Sequence, residues 1–247
     1  MVIRMPRFFV PDCGLPGERI VLEGDNARHI SFALRMRKGD TVTLCGEDGR
    51  SMVGTLEDFD GTSVAVRILG EGAGAEPPYP VTLFQGLTKG DKFDFIIQKA
   101  VETGVTRIVP FLSSRCIAKL EEGGRTEKKL ERWKRISEEA AKQCGRGIVP
   151  EVTAPVPFAK ALEEAAEASL SFLCYEREDA VSLSDLLKAH PGGSVSFLIG
   201  PEGGFSEAEA SLAADRGIAL CGLGKRILRT ETAPVFVLSC ITYEREL

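Results

Sequence analysis

Phe197-Leu198-Ile199-Gly200-Pro201-Glu202-Gly203-Gly204-Phe205-Ser206 begins inside an apolar run, Val195 to Ile199, and then breaks abruptly. Three glycines and a proline follow the run directly. Ser206 and Glu209 then stand at the S-x-x-E spacing of a capping box, which opens a helix. The stretch therefore reads as strand, tight turn, helix. Glycines at such a turn let backbone approach a neighbour closely and present unhindered N–H groups. It is a poor phosphate cradle, because it carries neither G-x-x-x-x-G-K-[ST] nor G-x-G-x-x-G and Glu202 would repel a phosphate. On these residues alone, a purely structural turn fits as well as a binding loop.

The same rhythm runs through the chain before and after it. Val81 to Leu87 is a mainly apolar run, and Phe93, Ile96, Ile97, Ala100 and Val101 then fall on one face of a helix. Gly104 follows as a C-cap, and Arg107 to Leu112 as a second apolar strand. A long helix is expected from about Thr126 to Cys144 and a last one from Ala233 toward Glu244. Further strands are expected near Ile148 to Thr153, Leu170 to Tyr175 and Ile218 to Leu223. Strands buried on both faces and alternating with helices predict an α/β fold with a mostly parallel sheet. Ligands of such sheets bind at the C-terminal strand ends.

This organisation spans residues 81–247. Residues 73–80, AGAEPPYP, combine small residues with three prolines and read as a linker. Residues 1–72 hold short alternating strands, Arg7 to Val10, Arg19 to Leu22, Thr41 to Leu44, Ser51 to Glu57 and Ser63 to Leu69, separated by turn signals such as Asp60-Gly61. A small β-barrel packages such strands, and Asp25 to Leu34 supplies one short helix.

A second strand end is unusual: Leu223-Gly224-Lys225-Arg226-Ile227-Leu228-Arg229-Thr230-Glu231-Thr232-Ala233-Pro234. Thr232 is a candidate N-cap, with Pro234 in the first turn of the last helix. Cations stand between apolar residues here, which suits either a solvated loop or one wall of a pocket. Together the two loops offer backbone amides, Leu and Ile contacts for a flat ring, and an adjacent arginine. That set suits an adenosine-bearing cofactor and needs no metal.

Composition narrows the chemistry further. A chain 43% hydrophobic and 27% charged excludes wholesale disorder and fibrous repeats. Seven cysteines occur, the nearest two, Cys221 and Cys240, nineteen residues apart, so no C-x-x-C pair exists and buried thiols are expected. With His29 and His190 the only histidines, histidine-based hydrolase schemes and a metal centre are poor readings. No apolar run reaches the ~20 residues that span a bilayer, and Met1 to Val10 shows no signal-peptide core, so a cytoplasmic protein is expected. The net charge of −5 means that any contact with nucleic acid must run through local basic patches.

The pair IGPEGGFSEAE and LGKRILRTETAP closely resembles the RsmE family of SPOUT-superfamily methyltransferases. The resemblance extends to PRFFV, to His29 through Asp40, to Lys89-Gly90-Asp91-Lys92 with Gln98 through Val105, and to Glu139 through Arg146 followed by Val149-Pro150. Ser113-Ser114-Arg115-Cys116 departs from it, standing where the family often has a Glu-Arg-Ser sequence. The resemblance implies a PUA-like barrel followed by a SPOUT domain with a deep C-terminal trefoil knot, assembled as a homodimer. It implies S-adenosylmethionine as cofactor and N3-methylation of uridine in 16S rRNA, within the small ribosomal subunit. Leu198, Gly200, Glu202, Gly203, Leu223, Gly224, Ile227, Leu228, Thr232 and Ala233 would then hold the cofactor.

The chemistry asks for a group that stabilises negative charge on the uracil oxygens as the N3 proton leaves. Arg229 is the candidate, with Thr230 and Glu231 orienting the loop or relaying the proton. Candidate RNA contacts are Arg35, Arg37 and Lys38 in the barrel, Lys89 and Lys92 near the first catalytic strand end, and Arg146. The denser run Arg125, Lys128, Lys129, Arg132, Lys134 and Arg135 is interleaved with glutamates and reads as an ion-paired helix face. His29 reads as a packing residue and Trp133 as core or interface. Another SPOUT enzyme, acting on a ribose 2′-hydroxyl or a tRNA base, and a non-catalytic assembly factor remain alternatives. Cofactor titration and identification of the modified nucleoside separate them.

Overall fold

A computed structural model of the protein describes residues 5–116, 125–176 and 180–247; the side chain of Arg125 lies outside the described residues. The chain divides into two compact units, Met1–Glu76 with Ala141–Val149, and Pro77–Ala140 with Pro150–Leu247. Sequence reading assigns all of 81–247 to the second domain, whereas Ala141–Val149 groups with the first unit. Lys142 stands over the Phe9 ring (5.9 Å), and one carboxylate adds polar contacts. Glu76 accepts hydrogen bonds from the N–H groups of Gly147 (2.8 Å) and Ile148 (3.0 Å) and pairs with the Arg146 guanidinium (2.6 Å).

The first unit contains β1 (Arg7–Val10), β2 (Arg19–Leu22), α1 (Gly24–Arg28), a π-helical turn (His29–Ala33), β3 (Thr41–Gly46), β4 (Ser51–Phe59) and β5 (Val64–Glu71). Its five strands order as β1-β3-β4-β5-β2, with β1 and β3 parallel and the other neighbours antiparallel. Alternation in the strands places Phe8, Leu44, Leu56 and Ile68 in one core, joined by Ile30. Burying each such side chain contributes about 1.5–3 kcal/mol. Asp60 closes the β4–β5 hairpin. Its carboxylate accepts from the N–H of Thr62 (3.0 Å) and from the hydroxyl (2.8 Å) and N–H of Ser63, which pulls its pKa down to about 2.

The second unit runs β6 (Val81–Gly86), α2 (Lys92–Glu102), β7 (Arg107–Leu112), α3 (Arg125–Cys144), β8 (Glu151–Val152), β9 (Val156–Pro157), α4 (Phe158–Ala165), β10 (Leu170–Cys174), β11 (Val181–Ser182), α5 (Leu183–Ala189), β12 (Val195–Ile199), α6 (Glu207–Ala214), β13 (Ala219–Gly222) and α7 (Ala233–Glu246). The strands order as β11-β13-β10-β12-β6-β7-β8, with β9 beside β7, and every pairing is parallel. Helix α2 buries the face its periodicity marks, Phe93, Ile96, Ile97, Ala100 and Val101. On the sheet, the rings of Phe111, Phe158 and Phe205 cluster with centroids within 6.0 Å of one another, Phe111 stacked on Phe205 and Phe158 tilted against both.

One expected strand shrinks. Ile148 to Thr153 reduces to Glu151–Val152, because Glu76 engages the Ile148 N–H and the Pro150 carbonyl accepts from Ser137 Oγ (2.7 Å). Pro150 itself has no N–H to give a ladder. The strands that matter for function are central: β10, β12 and β13 are neighbours, with β6 beside β12. Their C-terminal ends open on one side of the sheet.

Candidate active site

Strand β12 delivers the first loop. Gly204 turns in the left-handed region at φ +64 and its N–H bonds the Pro201 carbonyl (2.9 Å). Glycine is required at Gly86 and Gly200 for close approach: a Cβ at Gly86 would sit 2.6 Å from the Pro201 nitrogen, and one at Gly200 would sit 3.0 Å from Gly204 Cα. The capping box forms as its spacing predicts. Ser206 Oγ accepts from the Glu209 N–H (3.2 Å), and the Glu209 carboxylate accepts from the Ser206 N–H (2.8 Å). Glu209 also accepts from the Ser114 N–H (2.8 Å), tying the β7 exit to the loop. Desolvation pushes the Glu209 carboxyl up, but these hydrogen bonds outweigh it and hold the group below the usual range.

The loop after β13 is fastened to the first by two polar side chains. Thr230, nearly buried, donates its hydroxyl to the Gly200 carbonyl (2.7 Å). Gln85, fully buried at the end of β6, donates from Nε2 to Thr230 Oγ1 (3.1 Å), with the carbonyls of Gly86 (3.2 Å) and Gly200 (3.4 Å) also in reach. That crowd of acceptors fixes the amide orientation, since the opposite flip would set an oxygen against carbonyl oxygens.

At the edge of the same pocket Lys92 stands between two carboxylates, 3.3 Å from Glu202 and 3.8 Å from Glu231. Desolvation raises Glu202, yet hydrogen bonds from its own N–H, the Lys89 N–H (3.2 Å) and the Lys92 ammonium leave it below the usual range. Glu231 Oε2 is buried and hydrogen-bonds to nothing among the described residues.

These loops and the segment after β10 enclose a cavity of about 700 Å³. Gly200, Glu202 and Gly203 line it from the first loop, and Leu223, Gly224, Ile227, Leu228 and Ala233 from the second. Arg229, Thr230 and Glu231 line it as well. Two expected cofactor residues lie elsewhere. Leu198 is fully buried in the core beneath the sheet surface, because its strand position points it at Phe84 and Phe205. Thr232 is exposed and its side chain makes no capping hydrogen bond; backbone bonds from the N–H groups of Thr232 and Ala233 to Arg229 O start the helix instead.

Sequence reading missed Tyr175 and Glu176 after β10, Arg115, whose Nη1 donates to Gly203 O (3.0 Å), and Gln85. Gln85 carried only a weak signal, as one of two polar residues with Thr82 in a mainly apolar parallel strand, and nothing local pointed to its partners. The cysteines are free thiols, but of the expected buried set only Cys13, Cys45 and Cys221 are buried and the other four are partly exposed. Cys174 and Cys221 stand opposite each other on β10 and β13 at the cavity wall, and burial pushes the Cys174 thiol well up.

The expected RNA contacts divide. Arg35, Arg37, Lys38 and Lys89 are exposed. Lys92 is instead taken up by Glu202 and Glu231 inside the pocket. Arg146 is 3% exposed and paired with Glu76, so it offers no surface to RNA. A partner seventy positions earlier is invisible to local sequence reading. On the basic helix α3, Arg135 pairs with Glu139 (3.8 Å) as read, whereas Arg132 pairs with Asp91 and Asp94 at the start of α2 and not with an interleaved glutamate. Trp133 is core, 4.4 Å from the Phe93 ring, and His29 packs edge-on to Phe8.

A pocket of backbone groups and apolar side chains fits a flat adenosine, and its carboxylates fit ribose hydroxyls and a cationic group. Glycine at position 203 lets Arg115 pack closely, since a Cβ there would press it at 3.2 Å. Residues 75–242 match the family described as the RNA methyltransferase domain, the class that this sheet and pocket define. The chain is 35% identical to Ribosomal RNA small subunit methyltransferase E of Bacillus subtilis, over 92% of this chain and 90% of the relative. Its fold matches a Ribosomal RNA small subunit methyltransferase E from Neisseria gonorrhoeae bound to S-adenosyl methionine, at TM-score 0.88 and 35% identity over 98% of each chain. It also matches a putative methyltransferase from Legionella pneumophila in complex with SAM, at TM-score 0.85 and 31% identity over 98% of each chain. The chain belongs to the ribosomal RNA small subunit methyltransferase E family.

Proposed function

We propose that the protein methylates N3 of a uridine in the 16S rRNA of the small ribosomal subunit, using S-adenosylmethionine. Family membership supports the cofactor and the rRNA substrate. The observation that carries the choice of N3 is the cavity wall itself. It presents an arginine with no ion pair among the described residues, Arg229, and beside it a buried carboxylate oxygen with no hydrogen bond, Glu231 Oε2.

Bound in the cavity, S-adenosylmethionine supplies a methyl group already activated by its sulfonium. Gly200, Gly203, Leu223, Gly224, Ile227, Leu228 and Ala233 hold it by backbone and apolar contact, with Glu202 and Lys92 at the edge. Leu198 supports the loop from the core, and Thr232 sits at the start of α7. Uracil N3 is a weak nucleophile until its proton leaves. Glu231 takes up that proton, and Arg229 stabilises the charge spreading onto O2 and O4. Thr230 keeps both residues in place through its bond to Gly200. The target base must be unpaired or turned out of its stack to expose N3.

The same reading includes a knotted C-terminal path. The bonds from Gln85 and Thr230 hold the last loop against two earlier strand ends, which supports it. It includes a PUA-like barrel over residues 1–72, supported by five strands around one core, whose Arg35, Arg37 and Lys38 contact RNA with Lys89. It includes a homodimer, supported by Ile227, 82% exposed, and by Phe236 and Tyr243 exposed on α7. A ribosomal substrate supports a cytoplasmic location. Among the described residues no helix is long and apolar enough to cross a membrane.

Reverse transcription tests the position of the methyl group. N3-methylation blocks the Watson–Crick edge, so 16S rRNA treated with protein and cofactor is expected to halt the polymerase at one uridine. Read-through of rRNA that has taken up label contradicts N3 and favours another atom.

A further inference from the structure

The segment Arg28-His29-Ile30-Ser31-Phe32-Ala33-Leu34-Arg35-Met36-Arg37-Lys38 holds four cations and no carboxylate. The short helix expected over Asp25 to Leu34 would run through its first part. Instead α1 ends at Arg28 and the next turn widens. The Leu34 N–H reaches back to the His29 carbonyl (2.9 Å) and the Met36 N–H to the Ile30 carbonyl (3.0 Å). Ile30 stays anchored in the core, fully buried, while Phe32 emerges 72% exposed. Arg35 closes the turn at φ +52 and is the sole non-glycine residue at positive φ among the described residues.

Both features are unfavourable unless the side chains have work. Glycine would relax position 35, and a polar residue would suit position 32 better than an exposed ring. Wide helical turns and left-handed non-glycine residues concentrate where a ligand is met. The cations point to its charge. Arg28 has Asp25 at 3.8 Å and Lys38 has Asp58 at 3.4 Å, whereas Arg35 and Arg37 form no ion pair among the described residues. An exposed aromatic face bordered by uncompensated cations is complementary to a nucleotide, with a base for the ring and a phosphate for the guanidinium. A duplex hides its base faces in the stack, so the fit is to an unpaired nucleotide.

We propose that Phe32 and Arg35 form a binding site for one unpaired RNA nucleotide, its base stacked on Phe32 and its phosphate on Arg35. The proposal rests on the RNA-substrate reading and deepens it: the first unit recognises strand state, not only charge. The target uridine itself remains with the second unit.

Binding of the full-length protein to a single-stranded RNA oligonucleotide, and to the same sequence in a duplex, tests it by fluorescence anisotropy. Phe32→Ala is expected to weaken single-strand binding about tenfold, roughly 1.4 kcal/mol, and to leave duplex binding unchanged. Phe32→Tyr is expected to restore it. Phe32→Trp is expected to gain a fluorescence signal, relative to the wild type with Trp133, that single-stranded RNA quenches and duplex does not. Arg35→Gly is expected to weaken RNA binding while thermal stability holds or rises, because glycine relaxes the turn. Failure of the wild type to prefer single-stranded RNA overturns the proposal. So does wild-type affinity in Phe32→Ala; if an Arg35→Ala, Arg37→Ala double variant loses binding in the same assay, the basic patch survives as an RNA contact without stacking. If neither variant changes binding, the RNA role of the patch falls too. Added fluorescence in the Phe32→Trp variant that responds to ribosomal protein and not to RNA also overturns it.

Discussion

Gln85 and Arg229 show two ways in which single residues serve one cavity. Gln85 works from behind it, with one amide donor among acceptors from both loops. Gln85→Leu leaves Thr230 and Gly200 without that donor, a loss of about 1–3 kcal/mol for buried acceptors. Calorimetry is expected to show cofactor binding weakened about tenfold or more. Gln85→Glu makes the argument sharper. Protonated at acid pH, the new carboxyl can still donate; ionised, it faces the carbonyls of Gly86 and Gly200. Cofactor affinity of that variant is expected to fall as pH rises, and a pH-independent affinity contradicts the role given to the amide. Arg229 lines the cavity itself, where the proposed charge stabilisation is assigned to it. Arg229→Ala is expected to keep cofactor affinity and lose about 10²–10³ in turnover, the usual effect of removing one charge-stabilising donor; full turnover in single-turnover assays contradicts it. Arg229, Glu231 and the loop glycines were legible because each loop is one continuous stretch of sequence. Gln85 and Tyr175 were not, since only the sheet order brings their strand ends alongside β12 and β13. The burial of Arg146 was illegible for the same reason, its partner Glu76 being distant in sequence.

Among the elements, the most explicit sequence signals survived best. The S-x-x-E spacing at Ser206 and Glu209 became a complete capping box, and the apolar stripe of α2 became its buried face. Where a tertiary partner competed for backbone, local reading overran, and β8 keeps two residues of an expected six. The helix over Asp25 to Leu34 changes to a π turn halfway through local backbone bonds. Thr232 likewise yields its capping role to backbone bonds on Arg229. The capping box supports a pH prediction. Folding holds Glu209 below its usual pKa, so its stabilisation is present above the unfolded value, about 4.3, and is lost as pH falls through the folded one. Glu209→Gln is expected to melt a few degrees below wild type at neutral pH, consistent with about 1 kcal/mol for a cap. The gap is expected to close as pH drops below that range. A gap constant from neutral to acid pH would show that shape, not charge, holds the loop.

For the whole molecule, strand order converts several loops into one site. β10, β12, β13 and β6 lie together in a parallel sheet, so their C-terminal ends meet although the chain visits them far apart. The α/β class and the strand-end location of the pocket were legible from alternation alone. The order of strands was not, because continuous apolar runs carry no address for their neighbours. Nor was the grouping of Ala141–Val149 with the first unit. With a net charge of −5, the molecule has no general attraction for nucleic acid, so the proposed RNA contact is assigned to a confined site, the Arg35–Lys38 loop. The central claim is that these parts together place a methyl group on uracil N3 in small-subunit rRNA. Its most direct test is methyl transfer from labelled S-adenosylmethionine to unmodified small ribosomal subunits, followed by nuclease digestion and mass spectrometry of the nucleosides. The account predicts N3-methyluridine as the labelled product, and a label found instead on a ribose, on another base or on no nucleoside at all would contradict it.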